Sequence, residues 1–383
     1  MSARRLAIGL MSGTSMDGVD VAAVETDGRR VFGLGPTLLR PYRDDERAAI
    51  RAALAVAPMI VGRADRPPAL AEAERIVTLA HADAVDVFLR ENGLEPADVA
   101  VVGFHGQTVF HAPARRITVQ LGDGLALARA VRIPVVYDFR AADVAAGGEG
   151  APLVPIFHAA LASGGDLPRP LVVVNIGGVA NLTWIGADED RSDLVAFADD
   201  AAGCGLVAFD CGPGNAALDD WCLGHTGRAM DEDGRLAAQG RVDEVRLARL
   251  LADPFFDLPA PKSLDRNAFT VAAAEGLSAA DGAATLTALT ARAVAKGIER
   301  LPEAPRTVVV AGGGAHNPTM LGMIAAATGA RVTTAAEVGW STDFLEAQAF
   351  AHLAVRHLER LPLSFPGTTG VPRPMRGGVL AIG

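Results

Sequence analysis

Two stretches of this chain follow one pattern that few folds can use. Leu6-Ala-Ile-Gly-Leu-Met-Ser-Gly-Thr-Ser-Met-Asp-Gly-Val-Asp-Val-Ala-Ala-Val-Glu25 is an apolar run, a knot of small polar residues, and a second apolar run. Leu171-Val-Val-Val-Asn-Ile-Gly-Gly-Val-Ala-Asn-Leu-Thr-Trp-Ile185 repeats it, with Gly177-Gly178 at the turn. Apolar, β-branched residues flanking Gly, Ser, Asn or Asp read as strand, tight turn, strand. The two hairpins lie roughly 165 residues apart, and 383 residues leave room for two domains. The simplest reading is a duplicated unit in which each copy carries one such hairpin.

A third glycine run differs. In Thr307-Val-Val-Val-Ala-Gly-Gly-Gly-Ala-His-Asn-Pro-Thr-Met-Leu321 the strand enters Gly312-Gly313-Gly314 and a helix follows. Asn317 is placed to cap that helix and Pro318 to open it. Helical spacing marks residues 68–91 and 284–300, the latter with Leu286, Leu289, Val294 and Ile298. A last helix spans Phe344 to Leu361, where Pro362 stops it. Strands alternate with helices, so the class is α/β.

Composition narrows the function. Lys plus Arg total 35 against 45 Asp plus Glu, a formal net charge of −10, which argues against a nucleic-acid or anionic-membrane partner. Apolar runs fall far short of the ~18 residues a membrane span needs. The short run after Arg4-Arg5 meets Ser12, Thr14 and Asp17 too early for a secretion signal. Cys204, Cys211 and Cys222 are an odd number of thiols with no CxxC spacing, which fits a reducing, cytoplasmic setting. Lys262 and Lys296 are the only lysines. Any lysine on a phosphate must be one of those two.

Gly-rich turns at strand ends present backbone N–H groups with little side-chain cover, which suits phosphate oxygens. In the first turn Ser12, Thr14 and Ser15 add hydroxyls to Gly13, and Asp17 suits Mg²⁺ or its waters. Neither common nucleotide motif fits. Gly9 and Gly13 are four apart and no lysine follows, which excludes the P-loop. Asn317 stands where the dinucleotide fingerprint needs its third glycine. Elsewhere, Val207-Ala-Phe-Asp210 reads as a strand ending in a carboxylate, before the turn Gly212-Pro-Gly-Asn215 and a helix. Asn215 is in position to cap that helix, with Leu218, Trp221 and Cys222 on one face. On the residues alone, Asp210 is either a group facing the ligand crevice of an α/β sheet or a cap of that helix.

Taken together, Gly9-Leu-Met-Ser-Gly-Thr-Ser-Met-Asp-Gly-Val-Asp20, His105-Gly-Gln-Thr108, Val119-Gln-Leu-Gly122, Asp138-Phe-Arg140, Asp143-Val-Ala-Ala-Gly-Gly-Glu-Gly-Ala-Pro-Leu153, Asn175-Ile-Gly-Gly178, Phe209-Asp-Cys-Gly-Pro-Gly-Asn215, Pro261-Lys-Ser263 and Gly312-Gly-Gly-Ala315 resemble, in order, the blocks of the anhydro-N-acetylmuramic acid kinases. These belong to the sugar kinase, Hsp70 and actin superfamily. The resemblance implies two RNase H-like domains with an interdomain ATP cleft. It places 1–140 plus 345–383 in the first domain and 141–344 in the second. It implies ATP and Mg²⁺ as cofactors, held around Ser12, Gly13, Thr14, Ser15, Met16, Asp17, Gly18 and Val19, around Asn175, Gly177, Gly178 and Asn181, and around Gly312, Gly313 and Gly314. Asn175 stands where many kinases of the superfamily have Asp, so Mg²⁺ is expected on phosphates and water. Asp210 matches the general base. His105, Gln107, Thr108, Gln120, Arg140, Gly212, Gly214, Asn215 and Glu346 are implied on the sugar side. Glu346 also reads as ordinary acidic charge at a helix start, and Arg140 as a partner of either a substrate carboxylate or Asp143. Many family members carry Asn where this chain has Asp123. The implied reaction hydrolyses the 1,6-anhydro bond and phosphorylates O6, in cell-wall recycling, and the implied assembly is a homodimer. A levoglucosan kinase is the alternative within the same chemistry. An actin- or Hsp70-like ATP switch is the alternative outside it.

Overall fold

The computed structural model describes residues 3–13, 15–186 and 205–383. The expected loop residue Thr14 and the cysteine Cys204 lie outside the described residues. Residues 3–165 with 344–383 form one compact unit, and residues 166–186 with 205–343 form another. The helices Ala141–Ala145 and Pro155–Ser163 therefore lie with the first unit, beyond the boundary at 140 drawn from the resemblance. One tie is visible: the Asp143 carboxylate accepts the Thr369 hydroxyl at 2.6 Å.

The first unit begins with β1 (Arg5–Ser12), β2 (Gly18–Thr26), β3 (Val31–Pro41), β4 (Val101–Ala112), β5 (Ile117–Leu121) and β6 (Val135–Tyr137). The second holds β7 (Leu171–Ile176), β8 (Val179–Ile185), β9 (Leu206–Pro213), β10 (Thr307–Ala311) and β11 (Arg331–Thr334). A last strand, β12 (Val379–Ala381), returns to the edge of the first sheet beside β6. The strand orders are β3-β2-β1-β4-β6 and β9-β8-β7-β10-β11. In each, three antiparallel strands form a meander whose first strand takes a parallel partner, which takes another. Both sheets are thus RNase H-like, and both expected hairpins, β1–β2 and β7–β8, are present.

The inner strands are apolar over their length because both sheet faces are covered. Every residue of β10 is buried, and all of β7 except Asn175. In the first unit the helix Leu345–Leu358 lies so close to the sheet that glycine is needed beneath it. A Cβ on Gly9 would stand 1.8 Å from the Ala347 carbonyl oxygen, and one on Gly103 2.1 Å from that of Phe350. In the second unit the helix Ala279–Ile298 covers β9 in the same way. A Cβ on Gly212 would be 2.4 Å from the Ala293 Cβ. That helix starts earlier than its leucine spacing suggests, because Ser278 caps it by accepting the Asp281 N–H at 3.1 Å. Its first turns pack alanine and glycine, which carry no periodic signal. Among the described residues no helix is long and apolar enough to cross a membrane.

Candidate functional site

In the second unit the fold gathers residues that the sequence scatters. Asn175 pairs with Asn181 across β7–β8, and Asn181 pairs with Asp210 across β8–β9. Direct cross-strand partners share a face, so two carboxamides and a carboxylate stand in a row. All three are half-buried where most neighbours along their strands are buried. The register slips between Ala180 and Asn181, so Cys211 is an extra residue on β9. A bulge of this kind re-aims the side chains beside it. The strand does not end at Asp210, as the sequence suggested, but runs through the bulge to Pro213.

The glycine turns pack around this row. The Gly177 carbonyl accepts the Asn215 N–H at 2.7 Å, and the Gly178 carbonyl accepts the N–H of Gly214 at 3.1 Å and of Ala216 at 3.4 Å. These carbonyls satisfy the start of the helix Ala216–Thr226. The expected side-chain cap is absent because Asn215 has helical rather than extended backbone angles, and its amide donates instead to the Ile176 carbonyl at 3.4 Å. Gly312 has φ +73°, and a Cβ there would meet the Asn175 Oδ1 at 2.5 Å. Asn317 does cap the next helix, accepting the Met320 N–H at 2.9 Å, after a short 3₁₀ turn over Gly313–His316. Asn175, Gly177, Gly178, Gly214, Asn215, Gly312 and Gly313 thus form one glycine cradle. Next to it lies a cavity of about 200 Å³ lined by Asn215, Asp219, Asp231, Gly313, His316 and Asn317. Sequence reasoning missed its acidic side. Burial, then the charge of Asp220, pushes Asp219 up to about 6.

Asp210 is gripped by one segment. Its N–H donates to the Lys262 carbonyl at 3.0 Å, and its Oδ2 accepts the Leu264 N–H at 2.8 Å. Burial pushes its carboxyl up to about 6, against the opposing pull of that N–H and of the Lys262 charge. Such a group is mostly ionised at neutral pH yet basic enough to take a proton.

The first unit holds the other candidates. Ser12 is buried and turned inward, donating to Gln107 and bonded to the Tyr42 hydroxyl at 2.9 Å. Ser15 and Asp17 are exposed, and Met16 makes the turn at φ +57°. Gly18 opens β2 where a Cβ would stand 2.4 Å from the Arg40 carbonyl oxygen, and Val19 is buried in the core. Only the backbone of Val19 can face a ligand.

His105 lies within β4, which continues well past it. Its Nε2 accepts from the Arg140 Nε at 3.0 Å, so Nδ1 carries the hydrogen and donates to the Gly106 carbonyl at 2.7 Å. Burial and the Arg140 charge hold this imidazole neutral. Arg140 also donates to the Gly150 carbonyl at 2.7 Å, and Asp143 takes the Gly150 N–H at 2.7 Å. Burial raises Glu346, with the Arg140 guanidinium opposing it. Gln120 donates to the hydroxyls of Thr108 at 3.1 Å and Thr118 at 2.8 Å, while its buried Oε1 has no partner among the described residues. His105 and Gln120 line a cavity of about 180 Å³ with Arg63, Arg66, Tyr137 and Asp138. Nothing in the sequence pattern marks the two arginines. Asp123 caps the helix Gly124–Val131, accepting the N–H of Leu125 and of Ala126 at 3.0 Å, a task Asn performs equally well.

The family model for anhydro-N-acetylmuramic acid kinase matches residues 5–382. The anhydro-N-acetylmuramic acid kinase of Rhodopseudomonas palustris strain BisB18 is 55% identical over 376 residues, covering 98% of this chain and 99% of that protein. Its namesake in Nitrobacter winogradskyi is 55% identical over 376 residues, 98% of each chain. That in Methylobacterium nodulans is 54% identical over 385 residues, 98% of this chain and 99% of that protein. With the strand orders, the glycine cradle and the seat of Asp210, these matches establish that the chain belongs to the anhydro-N-acetylmuramic acid kinase family.

Proposed function

We propose that the protein uses ATP and water to convert 1,6-anhydro-N-acetylmuramic acid to N-acetylmuramic acid 6-phosphate, in cell-wall recycling in the cytoplasm. The observation that carries this reading is the seat of Asp210: half-buried, raised towards neutrality, and in a row with Asn175 and Asn181 beside the glycine cradle.

Asp210 takes one proton from a water, whose oxygen attacks C1 of the sugar. The C1–O6 bond breaks, and the electron pair goes to O6. O6 attacks the γ-phosphorus of ATP, and ADP leaves. The second proton of the water stays on the new C1 hydroxyl. Asn175, Gly177, Gly178, Asn181 and Gly312 to Gly314 suit the nucleotide. A Cβ at Gly312 would crowd the Asn175 Oδ1 and one at Gly314 the Ile176 side chain, so glycine keeps this loop close against β7. The cavity beside Asn215 and Asn317 suits the nucleoside. On the first turn, Gly13 and the exposed Ser15 suit phosphate oxygens. Magnesium fits as an ion carried on the phosphates and water, since the row offers carboxamides in Asn175 and Asn181; its chemistry is to neutralise charge on the transferring phosphoryl group. The exposed Asp17 is the carboxylate on the first turn that can reach such an ion's waters. His105, Gln107, Thr108, Gln120, Arg140 and Glu346 are assigned to the sugar; both ring nitrogens of His105 are taken, by Arg140 and the Gly106 carbonyl, so the neutral His105 serves by orienting the Arg140 guanidinium.

The test is ADP release from Mg-ATP with the anhydromuramic sugar or levoglucosan, with mass analysis of the product. A muramic 6-phosphate heavier by one water supports the reading. Turnover of levoglucosan alone keeps the mechanism and changes the substrate. Silence with both sugars overturns the reading. The homodimer is part of the same proposal, and light scattering should give twice the chain's 39.5 kDa.

A further inference from the structure

Lys262 is one of two lysines, and the family reading gives it no task. Its position excludes the obvious one. The ammonium donates to the Phe255 carbonyl at 2.8 Å and the Phe256 carbonyl at 3.3 Å. It lies 4.4 Å from the centre of the Phe255 ring and 5.8 Å from that of Phe209. A cation held by two carbonyls and two ring faces is not free to follow a phosphate. Those same contacts tie together three pieces of chain. Phe255 and Phe256 belong to the turn Pro254–Asp257. Phe209 immediately precedes Asp210 on β9. The lysine's own backbone belongs to the segment that receives the Asp210 N–H and, two residues on, donates to its Oδ2.

We propose that Lys262 is a positioning residue for the base: its ammonium pins the 262–264 segment against the Phe255–Phe256 turn and Phe209, and so fixes the peptide groups that grip Asp210 from both sides. With Oδ2 committed to the Leu264 N–H, Oδ1 is the oxygen left to take the proton. The inference rests on Asp210 being the base. The lysine also acts through its charge. Cys211 is the titratable neighbour of Asp210 along the strand. Asp257, Lys296 and Arg300 act on the lysine, and Lys262 is the cation whose charge favours the ionised carboxylate. Removing that charge moves the carboxyl further up, and activity should then fail at a higher pH.

The experiment compares wild type with Lys262→Met and Lys262→Arg. Lys262→Met keeps the length and apolar body of the side chain but has neither charge nor donor. It should lower kcat by about tenfold or more, leave KM for ATP within about twofold, and move the acid limb of kcat/KM up by at least about half a pH unit. Lys262→Arg should return the acid limb to its wild-type position. Lys262→Gln, whose amide can still donate to the Phe255 carbonyl, replaces the methionine variant if the latter does not hold its fold, and should show the same shift. A neutral variant with the wild-type acid limb, or an arginine variant displaced as far as the neutral one, overturns the proposal. Infrared titration of the Asp210 carboxyl, assigned with Asp210→Asn, reads the same shift without turnover. The inference therefore stands or falls separately from the assignment of the substrate.

Discussion

Asp210 sits where a carboxylate is costly to keep charged, and that cost has a sign. Burial raises its value from 3.8 in the unfolded chain to about 6 in the folded one. Stability contributed by the protonated form is therefore full below about pH 4 and lost as pH rises through about 6. Asp210→Asn removes this loss. It should stabilise the protein by about 1–2 kcal/mol at pH 8, a figure reduced for partial access to water, with little gain at pH 4. Thermal melts at the two values check it. The same substitution should cut turnover by at least about a thousandfold with nucleotide binding retained, because an amide cannot accept the water's proton. Wild-type kcat/KM should fall as pH drops through about 6. Asp210 stood out as a candidate in the sequence because a strand followed by a glycine turn is a local pattern, while its role as base came only with the resemblance. The residues that hold it were not. Lys262 and Leu264 reach it through peptide groups, which any side chain could carry. The cap expected of Asn215 failed for the same reason: its N–H is drawn to the Gly177 carbonyl and its amide to that of Ile176, both distant in sequence, and its backbone is helical.

Among the elements, the helix Leu345–Leu358 is the most exacting. It rests on β1 and β4 with backbone against backbone at Gly9 and Gly103. Gly9→Ala or Gly103→Ala forces the helix away from the sheet, and either should cost about 3 kcal/mol or more. For a unit of this size that is a fall of roughly 6–12 °C in the melting temperature, readable by calorimetry. Gly224, where a Cβ would meet nothing within 4 Å, is the control and should tolerate alanine with under about 1 kcal/mol of change. Element type was read correctly wherever apolar spacing was long and regular, as over Pro68–Glu91. It was cut short where a strand stayed ordered through polar residues. β9 runs on past Asp210 to Pro213 because β8 pairs with its last residues, and that support comes from pairing that no local window contains.

For the molecule as a whole, the duplicated strand order was legible because both hairpins carry the same pattern of apolar run and small-residue turn. The boundary near residue 165 was not, since the helices before it are ordinary in composition and are placed by contacts such as Asp143 with Thr369. The proposed reaction couples two bonds, and oxygen labelling distinguishes it from simple phosphoryl transfer. In ¹⁸O-water the label should appear at C1 of the product, read before the anomeric oxygen exchanges, and not in the phosphate. Label in released inorganic phosphate without sugar product would instead mark plain ATP hydrolysis.

The close seat of the Leu345–Leu358 helix also has a consequence for synthesis. Strands β1 to β4 of the first unit's sheet leave the ribosome about 230 residues or more before the helix that covers it, since β4 ends at Ala112 and the helix begins at Leu345. Strands β1, β2 and β4 must wait through the making of the whole second unit with an apolar face uncovered. The nascent chain therefore completes its later unit first, the reverse of the usual order. During that interval the earlier unit carries uncovered apolar strand faces, the kind of surface on which incomplete chains aggregate.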